Sequence, residues 1–167
     1  MKTYSLTLKG VNALIGDLGK RRKDLEKKAD ELAKRLAEMG VQSATAKFDA
    51  AEYDGIKSYD ITMEKIEDGH YAVKACGESI LFIEFGTGIT YAAGGHPQAA
   101  EFGMGAGTYP GQKHAMDPNG WYLPKSIQAA TGKTKSYGNP PYAPMYSTAR
   151  DLERDVLRIA KEVLGND

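Results

Sequence analysis

The sequence predicts an α+β fold: a small antiparallel β-sheet packed against a long N-terminal helix and a C-terminal helix, with a long Gly/Pro-rich loop insertion. Three observations predict it. Apolar residues recur at three-to-four spacing near both ends of the chain, the signature of amphipathic helices. Two runs of period-two alternation flank Asp68-Gly69, which reads as a hairpin. Residues 86–141 hold 11 of the 19 glycines and only six charged side chains, and all seven prolines fall between Pro97 and Pro144, which marks turn-rich chain with little regular structure. The expected organisation is a single domain over 1–167, with 86–141 an extended loop insertion within it.

In chain order, residues 3–8 alternate Tyr4, Leu6 and Leu8 with Thr3, Ser5 and Thr7, and are expected to form a half-buried strand that Gly10 breaks. Asn12 is the expected cap of the long helix. Its apolar positions are Val11, Leu14, Ile15, Leu18, Leu25, Ala29, Leu32, Leu36 and Met39, with Leu18, Leu25, Leu32 and Met39 seven apart and Arg22 interrupting the companion seam. Gly16 and Gly19 weaken its first turns by about 1 kcal/mol each, and Gly40 is the expected stop. Over residues 58–76, Tyr59, Ile61 and Met63, then Tyr71, Val73 and Ala75, alternate around a type I′ turn at Asp68-Gly69. Residues 78–85 lack that alternation and suit a short buried helix closed by Gly86. Residues 120–124 suit a short strand. Pro144 suits the first turn of the last helix, whose stripe is Met145, Ala149, Leu152, Val156, Ile159, Ala160 and Val163, with Gly165 ending it.

Composition excludes several function classes. The 41% apolar and 26% charged shares are those of a globular chain. One cysteine, Cys76, allows no internal disulfide. No apolar run approaches a membrane span, the first residues do not form an apolar signal core, and the reading is an intracellular soluble protein. The 22 basic and 22 acidic side chains cancel, against a general nucleic-acid coat. The cancellation is uneven: residues 1–40 are net +4 and residues 41–85 net −5, so the neutral total describes a two-signed surface, with a basic helix and an acidic hairpin region.

The templates for chemistry fail one by one. Gly132-Lys133-Thr134 ends like a P-loop, but Ile127 occupies the place of its first glycine; Gly105-Ala106-Gly107 and Gly86-Thr87-Gly88 meet Pro110 and Tyr91 where a third glycine is needed. His70, His96, His114 and Cys76 have no paired metal-ligand spacing, and Leu81 stands where a nucleophile elbow needs glycine. No cofactor, metal or catalytic residue is therefore assigned. Two basic features remain. Lys20, Arg21, Arg22 and Lys23 make one end of the long helix positive, an electrostatic patch that is either a solvated face beside Asp24 and Glu26 or a surface for DNA or an acidic neighbour. Arg150, Arg154 and Arg158 line the last helix beside Asp151 and Asp155, with the same two readings.

Four motifs occur in order: Leu8-Lys9-Gly10-Val11-Asn12-Ala13-Leu14 before a charged helix, Leu81-Phe82-Ile83-Glu84-Phe85-Gly86-Thr87-Gly88 after a hairpin, Gly120-Trp121-Tyr122 in the loop, and Asn139-Pro140-Pro141-Tyr142-Ala143-Pro144-Met145-Tyr146 leading into the last helix. From about residue 6 to 164 this order resembles the head–tail joining, or tail-completion, proteins of long-tailed phages. The resemblance implies a non-enzymatic protein of phage or prophage virion assembly, a ring-forming component of the virion neck made in the bacterial cytoplasm. It implies as partners further copies of the chain, portal or head-completion proteins, and tail-tube or tail-terminator proteins, close to the DNA passage and away from membrane. Phe85, Thr87, Trp121, Tyr122, Pro141 and Tyr142 are the candidate subunit or partner contacts, since aromatic residues dominate interface energetics; for Phe82 and Phe85 ordinary core packing is the favoured alternative. Two other readings stay open: a small DNA-binding module using Lys20–Lys23, and a hydrolase using the loop histidines His96 and His114.

Overall fold

The computed structural model describes residues 3–91, 95–104, 114 and 116–165. Helix α1 (Leu8–Ala50) is followed by strands β1 (Asp60–Glu67) and β2 (His70–Cys76), a short helix α2 (Ile80–Phe85), a two-residue strand β3 (Trp121–Tyr122), helix α3 (Lys125–Thr131), a two-residue strand β4 (Lys135–Ser136) and helix α4 (Pro144–Leu164). This is the α+β arrangement expected.

The start of the chain differs from expectation. Residues 3–5 form no strand, and α1 begins at Leu8 with Thr7, not Asn12, as its cap. The Thr7 hydroxyl accepts the Gly10 N–H at 3.2 Å. An alternating segment needs a neighbouring strand to satisfy its backbone; none lies beside residues 3–8 among the described residues, and Leu6 is fully exposed. Gly16 and Gly19 lie inside a continuous helix, with open space where a Cβ would sit.

Gly40 does not end the helix. It is buried, and a Cβ there would stand 3.0 Å from a methyl of Val73 and 3.2 Å from one of Leu152. The glycine is where β2 and α4 both press onto α1, and the helix runs on because Val41, Ala44 and Phe48 continue the core stripe. Ala44, Phe48, Ala51, Ile61 and Ile83 form the buried centre, with Val73, Ala75, Tyr59, Tyr142 and Met145 packed around it.

The hairpin pairs Ile61 with Ala75, Met63 with Val73 and Lys65 with Tyr71. Its turn is not type I′: Gly69 alone of the pair has a positive φ, +75°, and a bulge between Lys65 and Glu67 absorbs the mismatch. Asp30 of α1 holds this tip, accepting the Gly69 N–H at 2.9 Å and pairing with Lys65 at 3.1 Å. α4 packs antiparallel on the second half of α1, with Lys47 Nζ 2.6 Å from the Asp151 carboxylate and the Ser43 and Thr148 hydroxyls 3.2 Å apart.

The insertion carries more order than its composition predicts. Trp121 pairs with Ser136 and Tyr122 with Lys135, closing a small antiparallel sheet around α3. Asp54 ties it to the body by accepting from Lys133 at 2.6 Å and Ser136 at 2.7 Å. Gly132, the end of the P-loop look-alike, is the left-handed cap of α3. The other look-alike, Gly105-Ala106-Gly107, lies outside the described residues.

Candidate interaction surfaces

Two of the motifs, more than 50 residues apart in sequence, are one physical unit. Thr87 and Asn139 exchange backbone hydrogen bonds at 2.9 and 3.1 Å, and the Thr87 hydroxyl donates to the Asn139 side-chain oxygen at 2.8 Å. The Asn139 amide donates to the Phe82 carbonyl at 2.9 Å, and the Tyr142 N–H to the Ile83 carbonyl at 3.0 Å. Gly138, at φ +94°, allows this contact, because a Cβ there would lie 2.0 Å from the Thr87 carbonyl oxygen.

Glu84 completes the unit. Its buried carboxylate accepts the Met145 N–H at 2.8 Å and the Tyr146 N–H at 3.0 Å, the otherwise unpaired first-turn donors of α4. This places an anion at the positive end of a 21-residue helix. The third partner is His96, which is buried like Glu84 and whose Nε2 lies 3.1 Å from the carboxylate. His96 Nδ1 accepts the Gln98 N–H at 3.1 Å, so the ring proton sits on Nε2 and is donated to Glu84. Phe85 and Tyr146 enclose the imidazole, with ring centroids 4.5 and 5.4 Å away. His96 therefore clamps the insertion to the start of α4.

Of the residues singled out in the sequence, Phe85 and Thr87 are buried within this unit, and Pro141 and Tyr142 are half-buried, with Tyr142 packed on the core. Phe82 is half-buried and stacks on Tyr53 with ring centroids 6.0 Å apart. Trp121 lines a cavity of about 220 Å³ with Tyr53, Phe82, Leu123, Pro124 and Ile127. His114 borders the same cavity and His96 does not, so the two loop histidines are not brought into one site. Tyr122 is exposed, with the Lys135 ammonium 5.7 Å from its ring centroid. Arg150, Arg154 and Arg158 are paired along α4 with Glu153, Asp151, Asp155 and Glu162. No group of three or more His, Cys, Asp or Glu side chains is placed to hold a metal among the described residues.

Lys20, Arg21 and Arg22 lie on a part of α1 that reaches past the hairpin tip, and Lys23 lies at that boundary. The hairpin extends along α1 to Asp30, and its Asp68 borders a shallow depression with Lys23 and Lys27. Beyond this point Val11, Ile15 and Leu18 are 45%, 61% and 55% exposed. The helix pattern of the sequence marks these positions as apolar, but the spacing carries no information on whether anything covers them.

Comparison with protein-family models, with curated proteins and with solved structures finds no match.

Proposed function

We propose that this chain is a non-enzymatic structural protein of phage or prophage virion assembly, a ring-forming neck component that joins head to tail or completes the tail. One observation carries the reading: the Glu84–Gly88 motif and the Asn139–Tyr146 motif, on which the resemblance chiefly rests, interlock through Glu84, Thr87 and Asn139 and set the start of α4. Their residue types are accounted for by holding a rigid subunit together, which is what an assembly protein requires of its core. The proposed partners are further copies of the chain, portal or head-completion proteins on one side and tail-tube or tail-terminator proteins on the other, in the host cytoplasm during assembly and in the virion neck afterwards. Tyr122, exposed beside the half-buried Trp121, is the aromatic best placed to meet a partner.

The test is disruption of the gene in its phage or prophage. DNA-filled heads and finished tails that fail to join are the expected products by electron microscopy. Intact, infectious virions from the disrupted strain would overturn the reading.

A further inference from the structure

We infer that copies of this chain associate head to tail, the free tip of α1 in one copy docking on the base of the hairpin in the next. The inference deepens the ring reading above and rests on it for its place in the virion. The tip presents Val11, Ile15 and Leu18, spaced four and three apart and hence on one face of the helix. Beside them Lys20 and Arg21 are exposed and form no ion pair among the described residues, unlike Arg22, which pairs with Glu26 at 2.8 Å. The tip is thus an apolar stripe edged by two cations that form no ion pair among the described residues.

The matching surface lies at the other end of the molecule. The Ser79 N–H donates to the Ser58 carbonyl and the Ser58 N–H to the Ser79 hydroxyl, at 3.3 and 3.0 Å, joining the chain before β1 to the start of α2. Beside this junction Ile56 and Leu81 are 51% and 41% exposed. Asp60, opposite Cys76 in the hairpin, and Glu78 are exposed and form no ion pair among the described residues. The nearby cation Lys57 is turned away, its ammonium donating to the Phe48 and Asp49 carbonyls at 3.1 and 2.6 Å.

One chain cannot join these two surfaces to each other. From Leu18 to the end of α1 the helix spans about 48 Å, at 1.5 Å per residue. The hairpin lies along that length with its tip at Asp30 and its base at the far end. Opposite charges edging apolar side chains at opposite ends of one helix cannot meet within one chain, and a second copy brings them together. Such a contact is heterologous and generates a ring or a filament.

Sedimentation of the full chain at low and high salt tests this. Association that weakens with added salt is expected. Leu18→Asp, and separately the pair Lys20→Glu with Arg21→Glu, should each weaken it at least about tenfold. The pair Asp60→Lys with Glu78→Lys should do the same, and the chain carrying all four reversals should associate again. A monomeric wild type overturns the inference, as does a four-fold reversal that fails to restore association. Loss with the tip reversals but not with Asp60→Lys and Glu78→Lys means that the tip meets a surface other than the hairpin base, and also overturns it. Salt-steep binding of duplex DNA, lost with the tip reversals while self-association persists, assigns the tip to nucleic acid instead. Confirmed head-to-tail contacts in a chain whose disruption leaves virions intact would keep this inference and remove the neck role.

Discussion

The Glu84 side chain joins α2, the insertion and the start of α4. A buried carboxylate is tolerable only when its lone pairs are taken up; here two helix N–H groups and the His96 imidazole do so. Glu84→Gln keeps the shape but sets an amide N–H₂ against backbone donors, and should destabilise the fold by about 1–3 kcal/mol in urea unfolding. An unchanged midpoint would mean that the carboxylate does not hold α4. Gly138→Ala should be severe, since its Cβ would overlap the Thr87 carbonyl at 2.0 Å. Gly103→Ala, at a similar positive φ of +66° with nothing within 4 Å, isolates backbone strain and should cost only about 1–2 kcal/mol. Equal losses at the two glycines would show that the Thr87 contact is not what Gly138 permits. Tyr59 gives a pH signature. Burial, then its hydrogen bond to Asp49, disfavours the phenolate and pushes its pKa to about 12. A raised folded pKa means that the stabilisation is complete below the ordinary tyrosine value, 10.0, and is lost as pH rises towards 12. Urea midpoints should fall over that window, and fall less in Tyr59→Phe; identical profiles would exclude the tyrosine as the source.

Among the elements, α1 divides into two mechanical regimes. Its second half packs between hairpin and α4, whereas its first turns carry the residues that precede the helix, with the Tyr4 hydroxyl donating to Asp17 and Ser5 against Gly10, and leave Val11, Ile15 and Leu18 exposed. Phe48→Ala should therefore cost about 3–5 kcal/mol, while Ile15→Ala should change monomer stability by no more than about 0.5 kcal/mol. Comparable losses in denaturant unfolding would contradict the division. Asp30 marks the boundary. The Gly69 N–H bond first, then Lys65, lowers its pKa below the ordinary carboxylate value. A lowered folded pKa gives stabilisation present above 3.8 and lost as pH falls further. Amide exchange at residues 68–71 should accelerate in that acid range, and Asp30→Asn should show the acceleration already at neutral pH. The two long helices and the hairpin were legible because many residues repeat one period in each. α3 was not, because seven residues give barely two turns of pattern; only Pro124 before it and Gly132 after it mark its ends. The expected strand at residues 3–8 failed for the complementary reason: alternation describes a strand only when another strand lies beside it.

At the scale of the whole molecule, zero net charge conceals cations without an ion pair at the tip of α1 and acids without one at the base of the hairpin, among the described residues. The segment totals, net +4 over residues 1–40 and net −5 over residues 41–85, were readable from the chain itself. Which charges are already neutralised by neighbours was not, because ion pairs such as Lys47–Asp151 and Lys133–Asp54 join residues about 100 and 80 positions apart. By itself the sequence determined the α+β class, the helix and hairpin periods and the short helix closed at Gly86, all of which depend on interactions within a few residues. Only the tertiary structure decided that Gly40 is a packing point and not a stop, that Glu84 and His96 clamp the start of α4, and that Val11, Ile15 and Leu18 stand uncovered. Those features depend on which distant side chain arrives at a given place, and local spacing does not encode that arrival.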